Sequence, residues 1–167
     1  MKRQRKKYQT PTKPWDKERI GTEKTLLKNF GLKTKREIWK TQAMLRKYRR
    51  LARELAGRQD ETKKKVLMDR LMRFGIVTKD ATLDTILGLT IEDFLNRRLQ
   101  TILHKKGLAN TPKQARQFIT HRQVVIDNRK VRYPSYMVSV DEEEKIIVKI
   151  SPVRKATVSE NNGGTAS

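Results

Sequence analysis

Apolar residues in the first half of the chain recur at the spacing of α-helices. The longest such pattern begins near Thr34 and Glu37, which together predict a capping box, and it ends at Gly57. Its apolar positions follow one another in steps of seven, three, four and three and so share one face: Ile38, Leu45, Tyr48, Ala52 and Leu55. Shorter helices are predicted at 23–30 and 61–74, the second with these residues facing inward: Val66, Leu67, Leu71 and Phe74. The first half of the chain is therefore predicted to be helical.

The second half changes from helical patterns to strand patterns. Thr90 and Asp93 predict the start of a helix that runs to Gly107. A single apolar stripe follows this helix: Ile91, Phe94, Leu95, Leu99, Ile102 and Leu103. Thr111 and Pro112 predict the start of a second, short helix. Four segments then have strand patterns, namely 123–126, 130–132, 136–140 and 145–150, and the acidic residues 141–144 are predicted to form an exposed loop. The predicted fold class is α+β, with an N-terminal helical lobe followed by two helices and a small antiparallel sheet.

These patterns divide the chain into four parts. Residues 1–14 form a basic, extended arm, because Pro11 and Pro14 prevent a regular helix. The arm is either a disordered tail or a segment that becomes ordered on a polyanion. Residues 15–90 are predicted to form the helical lobe and residues 91–150 the α+β domain, and residues 151–167, which have no periodicity, are predicted to be a flexible tail.

Positive charge is concentrated in two blocks of this chain. The formal net charge is +22, of which residues 1–56 contribute +14 and residues 97–139 contribute +9. Residues 57–96 are neutral, and residues 140–167 contribute −1. Repulsion on this scale destabilises a compact protein unless a polyanion compensates it. Nucleic acid is the first candidate for that polyanion, and an acidic membrane surface is the second.

Several classes of function are excluded by composition. The chain has no cysteine and only two histidines, His104 and His121, so no thiolate metal site and no Cys/His catalytic pair is available. There is no glycine pattern for binding a nucleotide. The longest apolar runs are triplets, too short for a membrane span, so a soluble cytoplasmic protein is expected. We expect no cofactor, no metal, no small-molecule substrate and no enzymatic activity.

The order of elements in the second half resembles a known RNA-binding module. Its helix–loop–helix–strand order carries these residues at the spacing of the S four RNA-binding domain: Arg98-Leu99, Gly107-Leu108-Ala109, Ala115-Arg116-Gln117, His121 and the Asp127-Asn128 turn. That module also occurs in RNA-modifying enzymes. A detached RNA-targeting module of such an enzyme therefore stays open as an alternative, as does a DNA-compacting protein.

Three longer stretches are more discriminating. Residues 10–20, 30–56 and 87–101 resemble the small-subunit ribosomal protein S four family, in its archaeal and eukaryotic type. The resemblance implies a structural constituent of the small ribosomal subunit and a primary binder of small-subunit (16S) rRNA. Such a protein nucleates assembly of the subunit body and contributes to decoding accuracy. The resemblance also implies three neighbours: ribosomal proteins S three and S five, and mRNA where it enters the ribosome.

Both basic blocks supply candidate RNA contacts. In the first block these are Lys35, Arg36, Arg46, Arg49, Arg50 and Arg53. In the second block the leading candidates are Arg97, Arg98, Arg116 and Arg122, because the planar guanidinium can bridge two phosphate oxygens. Secondary candidates are Lys105, Lys106, Lys113, Lys130 and Arg132. His121 either binds RNA or caps a helix, and three aromatic residues either stack on bases or pack internally: Tyr8, Trp15 and Trp39.

Overall fold

The computed structural model describes residues 6–58, 60–78 and 80–149. Its elements in chain order are α1 (Lys17–Asn29), α2 (Lys35–Gly57), α3 (Glu61–Arg73), α4 (Leu83–Gly88), α5 (Ile91–Asn96), α6 (Leu99–Lys105), α7 (Pro112–Thr120), β1 (Val124–Ile126), β2 (Arg129–Lys130), α8 (Val140–Glu143) and β3 (Ile146–Val148). The predicted α+β class is confirmed. The predicted tail, 151–167, and the first five residues of the arm lie outside the described residues.

The long helix α2 organises the first half of the molecule. Its predicted apolar face is confirmed, because all five of its positions are buried: Ile38, Leu45, Tyr48, Ala52 and Leu55. Four of them pack against residues of α3, α4 and α5 in one core, which includes Leu71 and Phe94. Ile38 joins a smaller cluster with Leu32 and Leu95. Burial of this face, rather than helix propensity alone, holds α2 in place.

Two predictions about the helical lobe are wrong. The predicted capping box is absent: Thr34 makes no side-chain capping bond, and the carboxylate of Glu37 pairs instead with two arginines of the second half. Val66 was predicted to face inward but is 68% exposed. The buried residues of α3 are Leu67, Met68 and Leu71, and a rotation of about 100° per residue carries Val66 away from them.

The helix predicted from Thr90 to Gly107 is in fact two helices. Arg98 has an extended backbone with ψ 140°, which separates α5 from α6. The break is held by the segment that follows the sheet turn, since Leu99 N donates to Tyr136 O at 2.8 Å and Val138 N donates to Arg97 O at 3.1 Å. The apolar stripe is continuous across the break because both helices bury it, so periodicity alone could not detect the break.

A small antiparallel sheet completes the second half, with strand order β2-β1-β3. Val125 pairs with Lys130 across the hairpin and with Ile147 on the other side. The hairpin turn is as predicted, because Asp127 and Asn128 have φ values of 45° and 64°. Residues of α6, α7 and the sheet form one core: Leu99, Ile102, Leu103, Ala109, Ala115, Ile119, Val124, Ile126, Val138 and Ile146.

The predicted strand 136–140 and the predicted acidic loop are both wrong. Met137 makes only an isolated bridge with Arg98, and helix α8 begins at Val140. Ser139 caps this helix, because its hydroxyl accepts from Glu142 N while the Glu142 carboxylate accepts from Ser139 N at 3.0 Å. The acidic residues occupy the first turn, where the helix dipole favours negative charge.

Candidate nucleic-acid interface

Helix α2 presents a cationic surface because its apolar face is turned into the core. Four of the six cations predicted in the first block are exposed: Arg36, Arg46, Arg50 and Arg53. The other two are half-buried. The Nζ of Lys35 lies 3.4 Å from a Glu23 carboxylate oxygen, and Arg49 donates to the carbonyl of Leu89 at 2.6 Å. The outer face of α2 is therefore free to meet a polyanion along most of its length.

The second block has a similar exposed set on the loops and helix ends that surround the sheet. These residues are Lys105, Lys106, Lys113, His121, Arg122, Lys130 and Arg132. Arg122 has φ 60° in the turn between α7 and β1, and Arg132 lies 5.3 Å from the ring centroid of Tyr133. His121 is the C-cap residue of α7 and is exposed, so both of its predicted roles stay open.

Three of the four leading arginines are used inside the protein. Arg97 pairs with Glu143 at 2.8 Å and donates to the carbonyl of Val138 at 3.3 Å. Arg98 is only 5% exposed and pairs with Glu37 at 2.6 Å. Arg116 is half-buried and pairs with the same carboxylate at 3.1 Å. The guanidinium of Arg98 is buried and already paired with a carboxylate, an environment that does not favour the predicted phosphate contact.

A polar cluster joins the two halves of the molecule at this point. We call Glu37, Arg98, Arg116 and Gln100 the Glu37 hub. The carboxylate of Glu37, from the first turn of α2, accepts from Arg98 at the start of α6 and from Arg116 in α7. Arg116 also donates to the side-chain oxygen of Gln100 at 3.3 Å. One negative charge against two positive charges leaves the hub cationic, so it still contributes to the positive field of the surface.

The charges of the hub determine the protonation of Glu37. Burial would raise the pKa of its carboxyl group, but hydrogen bonds from Arg116 and Arg98 and their charges outweigh burial and bring the pKa below its ordinary value of 4.5. Burial also lowers the pKa of Arg98, and the guanidinium nevertheless stays protonated at neutral pH. Glu37 is therefore ionised under physiological conditions.

Gln100 extends the hub to the backbone of both halves. Its side-chain amide donates to the carbonyls of Gly31 and Pro112, each at 2.9 Å, and lies 3.1 Å from that of Phe30. Gly31 has φ 59°, and a Cβ added there would lie 2.7 Å from the Cβ of Pro112. The loop before α2 therefore lies directly against the start of α7, and little space separates them.

The aromatic candidates divide into packed and exposed. The indole N–H of Trp39 donates to the buried carboxylate of Glu23 at 2.9 Å, and its ring lies 5.9 Å from that of Tyr8. Burial would raise the pKa of Glu23, but hydrogen bonds from Trp39 and Arg19 together with the Arg19 charge lower it. Trp15, by contrast, is 90% exposed beside the arm. These environments favour packing for Trp39 and leave Trp15 available for stacking.

Sequence reasoning missed Glu37, Gln100 and Glu23 as organising residues. The spacing of Thr34 and Glu37 predicts a capping box, but Glu37 is also the only acid between Glu23 and Glu54 in a strongly basic stretch. An isolated acid among many cations is a signal for an internal ion pair. No such signal marks Gln100, because an amide that binds backbone carbonyls leaves no trace in charge or periodicity.

Two further properties of the described residues bear on function. They contain no group of three or more His, Cys, Asp or Glu side chains arranged to hold a metal ion. No helix within the described ranges is both long enough and apolar enough to cross a bilayer.

Comparison with known proteins decides the family. A family model described as the S4 domain matches residues 97–144, which include α6, α7 and β1. A relative in Methanothermobacter thermautotrophicus, small ribosomal subunit protein uS4, is 46% identical over 155 residues, covering 90% of this chain and 91% of its own length. The chain belongs to the uS4 family.

Two other uS4 proteins support the same assignment. The uS4 protein of Saccharolobus solfataricus is 45% identical over 170 residues, covering 98% of this chain and 94% of its own length. The uS4 protein of Korarchaeum cryptofilum is 44% identical over 148 residues, covering 87% of this chain and 89% of its own length. The similarity extends far beyond the S4 domain, so both the helical lobe and the second basic block belong to the uS4 pattern.

Proposed function

We propose that this uS4 protein is a structural, non-enzymatic constituent of the small ribosomal subunit that binds small-subunit (16S) rRNA. The observation that carries the proposal is the pair of exposed cationic surfaces, one on α2 and one around α7 and the sheet, held together by the Glu37 hub. Relatives that align with 90% or more of this chain are named for the small ribosomal subunit.

The chemistry of these surfaces suits structured RNA. The major groove of an A-form helix is too deep and narrow for side chains to read, so recognition relies on shape and on the phosphate backbone. Cationic heads on rigid helices match that target, and each phosphate that they neutralise releases condensed counterions. A junction of several RNA helices would allow both surfaces to be used at once.

The proposed direct contacts are the exposed cations of both surfaces. They are Arg36, Arg46, Arg50, Arg53, Lys105, Lys106, Lys113, His121, Arg122, Lys130 and Arg132. Lys35, Arg49, Arg97 and Arg116 are half-buried and paired, so we assign them a smaller share of the contact. Arg98 acts as a positioning residue through Glu37 and does not touch RNA.

We extend the proposal to the role of the protein in the particle. As a primary rRNA binder it would nucleate assembly of the subunit body and contribute to decoding accuracy. It would lie beside ribosomal proteins S five and S three and near the mRNA where the message enters the ribosome. Trp15 is exposed and offers a ring on which a base of single-stranded RNA can stack, and residues 6–14 of the basic arm offer positive charge.

Charge reversal on α2 tests the proposal directly. Arg50→Glu should weaken binding to a small-subunit rRNA fragment about tenfold, and it should reduce the slope of log K against log salt by about one. The reason is that an exposed arginine in contact with a phosphate contributes to both quantities. Filter binding at several salt concentrations measures them together.

Lys65→Glu is the matched control for this experiment. It makes the same change of charge on exposed α3, in the neutral block, so its effect should stay within about twofold. If Arg50→Glu and Lys65→Glu give equal affinities and equal salt slopes, α2 is not part of the interface.

A further inference from the structure

A groove of about 1460 Å³ runs along α2, and among the residues proposed to contact RNA directly only Arg36 lines it. We call it the α2–α3 groove. Helix α2 lines it from Arg36 to Leu55, α3 lines it with Val66 and Leu67, and Met137 lines it at the S4-domain end. At 1.5 Å per residue, the stretch of α2 from Arg36 to Leu55 gives a wall roughly 30 Å long.

The floor of the groove is aliphatic. It is lined by Met44, Leu51, Leu55, Val66, Leu67 and Met137. Two of these are among the exposed large hydrophobic residues of the molecule, Val66 at 68% and Met44 at 38%. A single exposed valine is ordinary, but a continuous apolar floor within a groove is typical of a surface that another molecule covers. The failed prediction that Val66 faces inward has the same explanation, because the residue is apolar but the isolated chain does not bury it.

The rim of the groove is cationic. Exposed basic residues along it are Arg36, Lys40, Lys47 and Arg70. Two other rim cations are paired, since Lys63 lies 2.9 Å from Asp60 and Arg58 lies 3.5 Å from Glu54. The remaining positive charge is arranged around an apolar centre, so a complementary ligand has acidic groups flanking apolar ones.

The floor favours a polypeptide over RNA as that ligand. Bases bind to proteins by stacking on exposed aromatic rings. The aromatic residues of the lining, Tyr48 and Phe94, are only 9% and 1% exposed, and they stack on each other with centroids 5.6 Å apart. Methionine and aliphatic side chains instead match the apolar face of a helix, and methionine adapts to irregular partners.

We propose that the α2–α3 groove binds an acidic amphipathic helix from a neighbouring protein in the assembled particle. Its apolar residues pack on Val66, Met44 and Leu51, and its acidic residues pair with Lys40, Lys47 and Arg70. This function goes beyond rRNA binding, and it gives α3 a role as one wall of a docking site.

Photo-cross-linking from the groove identifies the class of occupant. The chain has no cysteine, so Val66→Cys provides a single site for a benzophenone maleimide. Small subunits that contain the labelled protein are irradiated, and the cross-linked product is sequenced by mass spectrometry. The expected product is a protein segment with acidic residues flanking apolar ones at helical spacing. Ile147→Cys is the control, because Ile147 is 58% exposed but lies on β3 outside the groove, and it should not give that product.

Three outcomes overturn the proposal. The first is an adduct with rRNA, and the second is an adduct with residues 151–167 or another segment of this same chain. The third is the absence of any cross-linked product from Val66→Cys, although the Ile147→Cys particle, labelled in the same way, forms cross-links to its own neighbours. Each of these assigns the groove to another occupant or to none.

A second pair of variants separates this proposal from the rRNA-binding function. Val66→Glu places a charge on the apolar floor and should reduce retention of the cross-linked protein in the subunit about tenfold, whereas Ile147→Glu should leave it unchanged. Affinity of the isolated protein for rRNA should stay within about twofold with Val66→Glu. Normal retention with Val66→Glu refutes the docking site, and a loss of rRNA affinity with this variant would assign the groove to RNA instead.

Discussion

Helix α2 and the S4 domain carry similar excesses of positive charge, but they use their arginines differently. On α2 most of the predicted contacts are exposed on the face opposite the core. In the S4 domain, Arg97, Arg98 and Arg116 pair with carboxylates of other elements. The difference follows from position. An arginine on the outward face of a long helix points to solvent, whereas one at a junction between elements meets the side chains of a neighbour.

This comparison shows that net charge overstates the number of RNA contacts. The arginine fork that suits phosphate also suits a carboxylate, and at a buried site the internal carboxylate is already in place. The exposed lysines and Arg122 of the S4 domain are therefore better candidates for direct contact than the other three leading arginines, Arg97, Arg98 and Arg116.

Removing the charge of Glu37 should have the largest effect on the difference between α2 and the S4 domain. Glu37→Gln leaves buried Arg98 without a counter-charge, so the free energy of unfolding should fall by about 3 kcal/mol. Urea denaturation measures it. Affinity for rRNA should also fall, because the two surfaces lose their fixed orientation, even though the net charge becomes more positive by one.

The matched control for Glu37→Gln is Glu54→Gln. The side chains of Glu54 and Arg58 are 46% and 69% exposed and lie 3.5 Å apart, so unfolding free energy should change by less than about 0.5 kcal/mol. Tighter rRNA binding by Glu37→Gln would contradict the positioning role and would indicate simple electrostatic inhibition by Glu37.

Two glycine substitutions test how tightly the two halves of the molecule are packed, and their effects on unfolding free energy should be smaller. Gly31→Ala should lower unfolding free energy by about 2 kcal/mol, because the residue has φ 59° and the new Cβ meets Pro112 at the junction of the two halves. Gly21→Ala in α1 should raise it by about 0.5 kcal/mol, since nothing lies within 4 Å of the added carbon. Equal effects in thermal or urea unfolding would show that the junction is not tightly packed.

The smallest effect is a pH dependence carried by the hub. The folded-state pKa of Glu37 lies below its ordinary value of 4.5, so its ionisation stabilises the fold fully above pH 4.5 and stops doing so as pH falls through the folded pKa. The stability difference between the wild type and Glu37→Gln should therefore shrink on acidification. Urea unfolding from about pH 6 to about pH 3 measures it. The pKa values of Glu23 and Glu142 are lowered too, but they are common to both proteins and cancel in the difference. A difference that grows in acid would contradict the assignment to Glu37.

Sequence patterns predicted what depends on local chemistry. The buried face of α2, the cap at Thr111 and the turn at Asp127 and Asn128 all follow from spacing or from residue type, and all three are present. The break at Arg98 and the loss of strand 136–140 depend on hydrogen bonds between segments far apart in the chain. No local pattern encodes them.

The candidate RNA contacts also differ in whether a local sequence pattern predicts their environment. Exposure of Arg46, Arg50 and Arg53 could be predicted, because the opposite face of α2 is apolar. The burial of Arg98 could not, since it depends on Glu37, which lies 61 positions earlier in the chain. The capping-box pattern at Thr34 also concealed the role of Glu37, because the same carboxylate suits either partner.

The strand order of the sheet has a consequence for synthesis of the chain. Strand β1 lies in the middle, yet its neighbour β3 comes last among the elements of the described residues, and Ile146 of β3 is part of the second core. Until the ribosome has synthesised β3, one edge of β1 is unpaired and the apolar sides of α6 and α7 lack part of their cover. The helical lobe can close as its helices emerge, but the S4 domain has to wait for its final strand, and this interval is when premature contact with other nascent chains is most hazardous.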